Sequence, residues 1–430
     1  MKKHDFFISL LVLFGFVFCC RQMTAELKAG VRIPVAEALK KNVRLKASDY
    51  FQSIEYIPLE LTDKCPVAAN SKIRLFGDKI LIFNAVHKQC FLFDRATGRF
   101  LCSVGHIGHD PEGVENLFPH LNYDNNTITF AGWKDVLQVY SNEGKYLRKI
   151  RIPDYDFYRP ETEFLFMAEG AIAQYFSRFG QSREYLKLFT AGKTLQVIDR
   201  TPGESSVHSL KDIQLVNIVS GNYSGEEDKD YGVRYFTPRN VNTATLIYYK
   251  NGQASISIAD SHLWRTGNSY YFREDYNDTI FQIKDKRILP AYILDMGSQH
   301  WDASERFKLK KDHSLLITKV LDGKNFLLIS CVTRPYDYSG FKSYNVVWDK
   351  KSETAVSAPL AAGITNDIYP FMNLQLLSAS PDGDFADLIP ADEVVEWLDK
   401  NGSSALPPAL KALRDLKEDD NPVVVIMKSK

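Results

Sequence analysis

An all-β protein built as a β-propeller is predicted by three observations: high aromatic content, a strand–turn–strand unit recurring along the chain, and β-rich segments upstream of its copies. The 430 residues include 27 Phe, 22 Tyr and 5 Trp, and aromatic side chains favour pleated, half-buried surfaces. With 45% hydrophobic residues the chain can build a large core, which excludes global disorder. The 53 basic residues are matched by 53 acidic ones, so nothing electrostatic points to nucleic acid as a partner.

The first element is an address. Met1-Lys2-Lys3 supplies a positive charge, and Phe6 to Phe18 is apolar apart from Ser9 and Gly15. Such a run rises only about 20 Å as a helix, too short for a hydrocarbon core of about 30 Å. It ends directly in Cys19-Cys20, as a bacterial lipoprotein signal does, and Cys20 is the expected lipidation site. This divides the chain into a signal at 1–19, a linker at 20–49, a propeller at 50–389, and a tail at 390–430. Cys65, Cys90, Cys102 and Cys331 remain in the mature chain, too few for a disulfide framework. Cys90 and Cys102 flank one turn and are either a pair or two buried thiols.

Residues 50–60 (YFQSIEYIPLE) read as one strand, which would close the ring by completing the last blade and so cover exposed sheet edges. The repeat follows. FLFDRATGRFL at 91–101 and LQVYSNEGKYL at 137–147 each alternate, turn at a Gly, and alternate again. Further copies are LKLFTAGKTLQ at 186–196, TLIYYKNGQAS at 245–255, IFQIKDKRILP at 280–290 and NVVWDKKSETA at 345–355. Successive turns lie 47, 49, 60, 34 and 65 residues apart, a mean of 51. Upstream strands at 79–84, 127–131, 170–176, 268–273 and 325–331 make each unit three or four strands long. About six such units, none able to bury both faces alone, predict a six-bladed propeller; two β-sandwiches are the competing reading. In the tail, Glu393–Lys400 and Ala409–Leu416 read as short helices, and Val423–Met427 as a terminal strand docked on the propeller.

SIEYIPLE at 53–60, FDRATGRFL at 93–101, VGHIGHDPEGV at 104–114, NDTIFQI at 277–283 and LKEDDNPVVVI at 416–426 stand in order behind the lipoprotein signal. In these segments the chain resembles the six-bladed β-propeller lipoproteins of Bacteroides-group gut bacteria, related in form to NHL-repeat propellers. It departs from them at His109-Asp110-Pro111-Glu112, where the family is richer in Gly. The resemblance implies fold and compartment, and carries no catalytic residue.

Standard catalytic signatures are absent: no H-E-x-x-H, G-x-S-x-G, P-loop or paired C-x-x-C. His106 and His109, beside Asp110 and Glu112, sit on a Gly/Pro-containing loop and read as solvated turn residues, so no metal or other cofactor is expected. Asp382-Gly383-Asp384 with Asp387 reads as a turn, since the ligand count of a calcium loop is missing. Glu226-Glu227-Asp228 reads as a solvated loop. Asp278-Thr279-Ile280 matches a three-residue O-glycosylation pattern.

In a four-stranded blade the second turn and the connection to the next blade lie at one end. That end receives Trp133, Tyr155, Tyr158, Arg178, Arg273, Tyr276, Trp301, Arg334, Tyr336 and Tyr338. Aromatic faces pack on pyranose rings while Arg and Asp bond hydroxyls, so these ten are the candidate ligand-binding residues, for a glycan or glycopeptide. The same composition suits a protein interface. The expected protein is a monomeric, lipid-anchored outer-membrane binding or scaffold module, on the periplasmic or cell-surface side. A periplasmic propeller lyase or hydrolase is the runner-up, and a subunit of a membrane assembly the third reading. Catalysis would require carboxylates or histidines clustered in the channel; binding would require exposed rim aromatics.

Overall fold

The computed structural model describes residues 30–68, 70–154, 162–177, 184–200, 210–220, 243–258, 260–309, 313–336, 342–402 and 406–430. Among the described residues the chain is mostly β, with five four-stranded sheets, one five-stranded and one three-stranded sheet. The four-stranded sheets are antiparallel and resemble propeller blades.

In chain order, β1 (Val31–Ile33) and β2 (Phe51–Pro58) precede the first sheet. That sheet is β3 to β6 (Lys72–Phe76, Lys79–Asn84, Gln89–Asp94, Phe100–Ser103). The second is β7 to β10 (His120–Asn122, Thr127–Ala131, Val136–Ser141, Tyr146–Arg151). The third is β11 to β14 (Glu163–Phe166, Ile172–Ser177, Glu184–Thr190, Lys193–Asp199). A three-stranded sheet follows, β15 to β17 (Ile213–Ser220, Thr243–Tyr249, Ala254–Ile258). Next come β18 to β21 (Leu263–Thr266, Ser269–Phe272, Thr279–Lys284, Arg287–Leu294). Then come β22 to β25 (Leu315–Asp322, Phe326–Thr333, Lys342–Asp349, Thr354–Pro359). The last sheet joins β26 (Ser378–Ala379), β27 (Phe385–Ile389) and β28 (Val423–Ser429) to β2, in the order β2-β28-β27-β26.

Strand periodicity sets the core. In β4, Ile80 and Ile82 face the last sheet while Leu81 and Phe83 face the second, so successive side chains feed two different interfaces. The same holds in β28, where Val423, Val425 and Met427 pack with the β22–β25 sheet and Val424 and Ile426 with the β3–β6 sheet. A strand buried on both faces reads as an unbroken apolar run, which is why Val423–Met427 is so hydrophobic. Six clusters of this kind join the sheets pairwise: first to second, second to third, third to β18–β21, and on through β22–β25 to the last. The last sheet packs on the first, so the contacts return to their start.

The N-terminal strand closes this cycle as expected, with β2 antiparallel to β28. The joint is close: Gly98, at φ +72°, lies where a Cβ would come 2.1 Å from the Pro58 carbonyl oxygen. Only glycine fits such a left-handed, crowded turn. Residues 30–49 were expected as a linker, yet β1 pairs parallel to β21, and Val43 N–H donates to Ser357 O at 2.8 Å. The segment thus edges two sheets before β2 edges the third, covering open backbone groups.

Two assignments change. The hairpin at 245–255 is β16–β17, part of the three-stranded sheet that lies outside the cycle, because its neighbours β14 and β18 belong to sheets packed directly on each other. The sixth sheet of the cycle comes instead from the tail, whose β28 pairs with both β27 and β2, so an expected boundary at 389 cuts one sheet. The first tail helix spans Ala391–Asn401; the second is a 3₁₀ turn over Pro408–Leu413. Cys65, Cys90, Cys102 and Cys331 are free thiols. The acidic run at 226–228 lies outside the described residues.

Candidate functional site

Inner strands begin, second turns close and inter-sheet connections run at one end of each antiparallel sheet. Trp133 lies in the β8–β9 turn, Arg273 and Tyr276 between β19 and β20, Trp301 between β21 and β22, and Arg334 and Tyr336 after β23. All six are at that end. Tyr155, Tyr158, Arg178, Tyr338 and the lipidation candidate Cys20 lie outside the described residues.

Most of these side chains are not open to a ligand. Arg273, Tyr276, Trp301 and Tyr336 are 5%, 8%, 1% and 4% exposed, and Arg334 is half-buried. The cause is the three-stranded sheet, inserted in the connection from β14 to β18. Its Leu246, Ala254, Ile256 and Ile258 need an apolar partner and find it in Tyr276, Trp301, Leu316, Val332 and Tyr336. The Tyr276 hydroxyl donates to Ile256 O at 3.0 Å, and the Tyr276 and Trp301 rings stand edge-on, 5.6 Å apart. Hence these aromatics are packing residues, with no ring face left for a sugar.

Trp133 differs. It is 38% exposed, its Nε1 donates to Gly108 O at 2.6 Å, and its ring stacks on His109 at 4.1 Å. His106 turns instead to Asp110, 2.7 Å away, and this bond holds the Asp110 carboxyl below its usual range. The two histidines therefore serve different partners. Asp384 pairs with Arg95 at 2.6 Å, and Asp387 accepts from Gln375 N and Leu388 N.

The chemistry concentrates further in. Glu163, first residue of β11, accepts from His262 N and Ser261 Oγ, and its Oε1 lies 2.9 Å from His262 Nδ1. His262 Nε2 lies 3.3 Å from Asp275 Oδ1. Burial opposes charge on the imidazole, but Asp275 and Glu163 overcome it and raise His262 well above its ordinary pKa. Burial likewise works against the Glu163 carboxylate, and the His262 charge holds it below its ordinary value. Arg273 donates to the carbonyls of Glu274 and Ile317 and lies 4.0 Å from Asp275. Two more ion pairs flank this group: Arg200 on Glu274 through two bonds of 2.6 and 2.5 Å, and Arg306 on Glu184 at 3.1 Å.

His120 opens β7 and is pushed by burial down to about 4, so it is neutral at pH 7 and accepts from Phe164 N at Nδ1. Lys72 and Arg74 project from β3, over the Phe118 and Phe83 rings at 5.7 and 5.8 Å. Asp260 accepts from Val320 N at 3.1 Å, and burial raises its carboxyl against the pull of Lys319. Burial lowers Lys319, with Asp260 opposing and Lys72 and Arg74 adding to the fall. Lys72 and Glu163, the first residues of the inner strands β3 and β11, therefore bring both charge signs to one end of the cycle.

None of Lys72, Arg74, His120, Glu163, Asp260, His262 or Lys319 stands out in a motif. One signal was available: a lysine inside the otherwise apolar LLITKVLD, where it conflicts with the strand's pattern and marks a place to look.

No curated protein matches the chain. A solved Bacteroides fragilis protein, whose assigned name is that of an exported protein, is 13% identical with a TM-score of 0.60, the match covering 93% of this chain and 99% of that one. A member of the DUF4221 family from Bacteroides vulgatus is 10% identical, with a TM-score of 0.38 over 88% and 97% of the two chains. The WD40 repeats of RRP9 are 8% identical, with a TM-score of 0.39 over 90% and 99%. Likeness at those last two levels fixes nothing, and the first speaks for fold alone. The model of a domain of unknown function, DUF4934, matches residues 30–428, and the chain belongs to that family.

Proposed function

We propose that this chain is an exported six-bladed β-propeller, anchored in the outer membrane through Cys20, that serves as a binding or scaffold module for glycans or glycopeptides. The closed cycle of six packed sheets supports the blade count. The apolar leader ending at Cys20 supports export and lipidation, as does the fold shared with a protein named as exported. Among the described residues no helix is long and apolar enough to cross a membrane. Replacing Cys20 by Ala is expected to move the protein out of the membrane fraction; unchanged fractionation would remove the anchor.

The binding reading is carried by one observation: the Trp133 ring, 38% exposed and stacked on His109 at 4.1 Å, stands at the end of the cycle where Glu163, His262, Asp275 and Arg273 gather. Ring face and charged hydrogen-bonding groups are what a saccharide requires. Calorimetry of the full chain against host and dietary glycans, with product analysis, is expected to find a binder that is not turned over. Trp133→Ala should weaken that binding about tenfold, as loss of a stacking ring does. No binding across the panel would end this reading. The runner-up, a polysaccharide lyase or hydrolase, draws on the raised Asp260 and lowered Lys319, a tuning also found in acid–base pairs; products in the same assay would establish it.

A further inference from the structure

The segment between β1 and β2 carries its charge unevenly. From Ala38 to Ser48 it has four cations, Lys40, Lys41, Arg44 and Lys46, and no acid, in a chain with 53 basic and 53 acidic residues. All four cations are exposed, as is Val43 at 41%, while Ala38, Leu45 and Ala47 are buried. The apolar side chains hold the segment to the ring, and the cations face away from it. Of the four, only Lys40 has an ion-pair partner among the described residues, Glu37 at 2.6 Å. Both ends of that pair are open to water, so it neutralises little.

The backbone of this surface is fixed. Lys41 O accepts from Ser357 N at 3.3 Å, and Asn42 Oδ1 accepts from Ser357 Oγ at 2.9 Å, so the segment lies along β25, the outermost strand of its sheet. Leu45 O accepts from Thr365 N and Ala47 N donates to Thr365 O, each at 2.8 Å. Arg44 Nε donates to Thr365 Oγ1 at 2.9 Å, and the Asp367 carboxylate is engaged by Ser48 N and Oγ at 2.8 and 2.5 Å. The cations thus stand on the outer wall of the ring. From Cys20 to Gly30, where the described chain begins, is ten residues, at most about 35 Å fully extended.

We propose that Lys40, Lys41, Arg44 and Lys46, with Val43 among them, are a docking surface for the anionic headgroups of a lipid bilayer. Lys and Arg beside a negatively charged bilayer are drawn to its phosphates, and an apolar side chain between them enters the headgroup layer. The nearness of the membrane rests on the anchor proposed at Cys20; the basic surface does not. The ring then rests on the membrane by its wall, which leaves Trp133, on the opposite side of the cycle, open to solution.

The test is vesicle co-flotation of the chain from Arg21 onward, which keeps every described residue and lacks the lipid. It should float with phosphatidylglycerol vesicles and not with phosphatidylcholine vesicles, and should be released as salt shortens the Debye length to about 3 Å at 1 M. Combining Lys40→Gln, Lys41→Gln, Arg44→Gln and Lys46→Gln should weaken that partitioning at least about tenfold. The control combines Lys145→Gln, Arg148→Gln, Lys149→Gln and Arg151→Gln, four exposed cations of the second sheet; it changes net charge equally and should bind as wild type does. Thermal scans check that both variants fold. Equal binding to both lipids, binding to neither, or an equal loss in the two variants would overturn the surface. Fractionation of Cys20→Ala in high salt, which strips the surface contact, reports on the anchor alone, so either reading fails without the other.

Discussion

Deleting residues 421–430 is expected to leave a chain with no cooperative unfolding transition. β28 holds Val423, Val424, Val425, Ile426 and Met427, each 0% exposed, and it pairs with β27 on one side and β2 on the other. Burying such side chains contributes roughly 1.5–3 kcal/mol each, so their loss is on the order of 10 kcal/mol. That matches or exceeds the whole stability of a typical domain, about 5–15 kcal/mol. The deletion also strands β2, opening the joint between the last and first sheets. Scanning calorimetry of the truncated chain decides it. A transition like that of the full chain would mean that the tail merely docks.

Replacing His262 by Leu is expected to cost about 3–5 kcal/mol near neutral pH, because it leaves the buried Glu163 and the half-buried Asp275 without their shared cation. The pH dependence carries a sign. The His262 pKa is raised on folding from 6.5, so its contribution is fully present below about pH 6.5 and lost as pH rises through the folded value. The Glu163 pKa is lowered from 4.5, so its contribution is present above that value and lost as pH falls through the folded one. Wild type should therefore weaken on the alkaline side, and the Leu variant should lack that alkaline loss. Denaturant titrations at about pH 6 and pH 10 provide the comparison. Equal stability of the two proteins at both pH values would show that the cluster contributes nothing.

Both expectations depend on features of unequal legibility. The hairpins at 91–101, 137–147, 186–196, 280–290 and 345–355 are strand pairs of blade-like sheets, because alternation and a turn residue are local properties. The hairpin at 245–255 has the same local pattern and sits elsewhere, since pattern alone does not say which sheet packs beside which. Likewise the tail's apolar run is visible, while its place between β27 and β2 depends on a partner strand some 370 residues away.

The candidate site divides the same way. Topology places the aromatic-rich segments at one end of the cycle, and the described ones are there. Their burial follows from the insert that packs on Tyr276, Trp301 and Tyr336, an adjacency no spacing encodes. Arg95 meets Asp384 across 289 residues, and Glu163 meets His262 across 99. By itself, the sequence determined the mostly β character, the strand and turn positions and the closing role of the N-terminal strand. Those follow from side-chain period and short-range sterics. Only the tertiary structure decided which aromatics are covered, which strand completes the last sheet and where charge collects. Burial and electrostatics depend on neighbours that ring closure brings together.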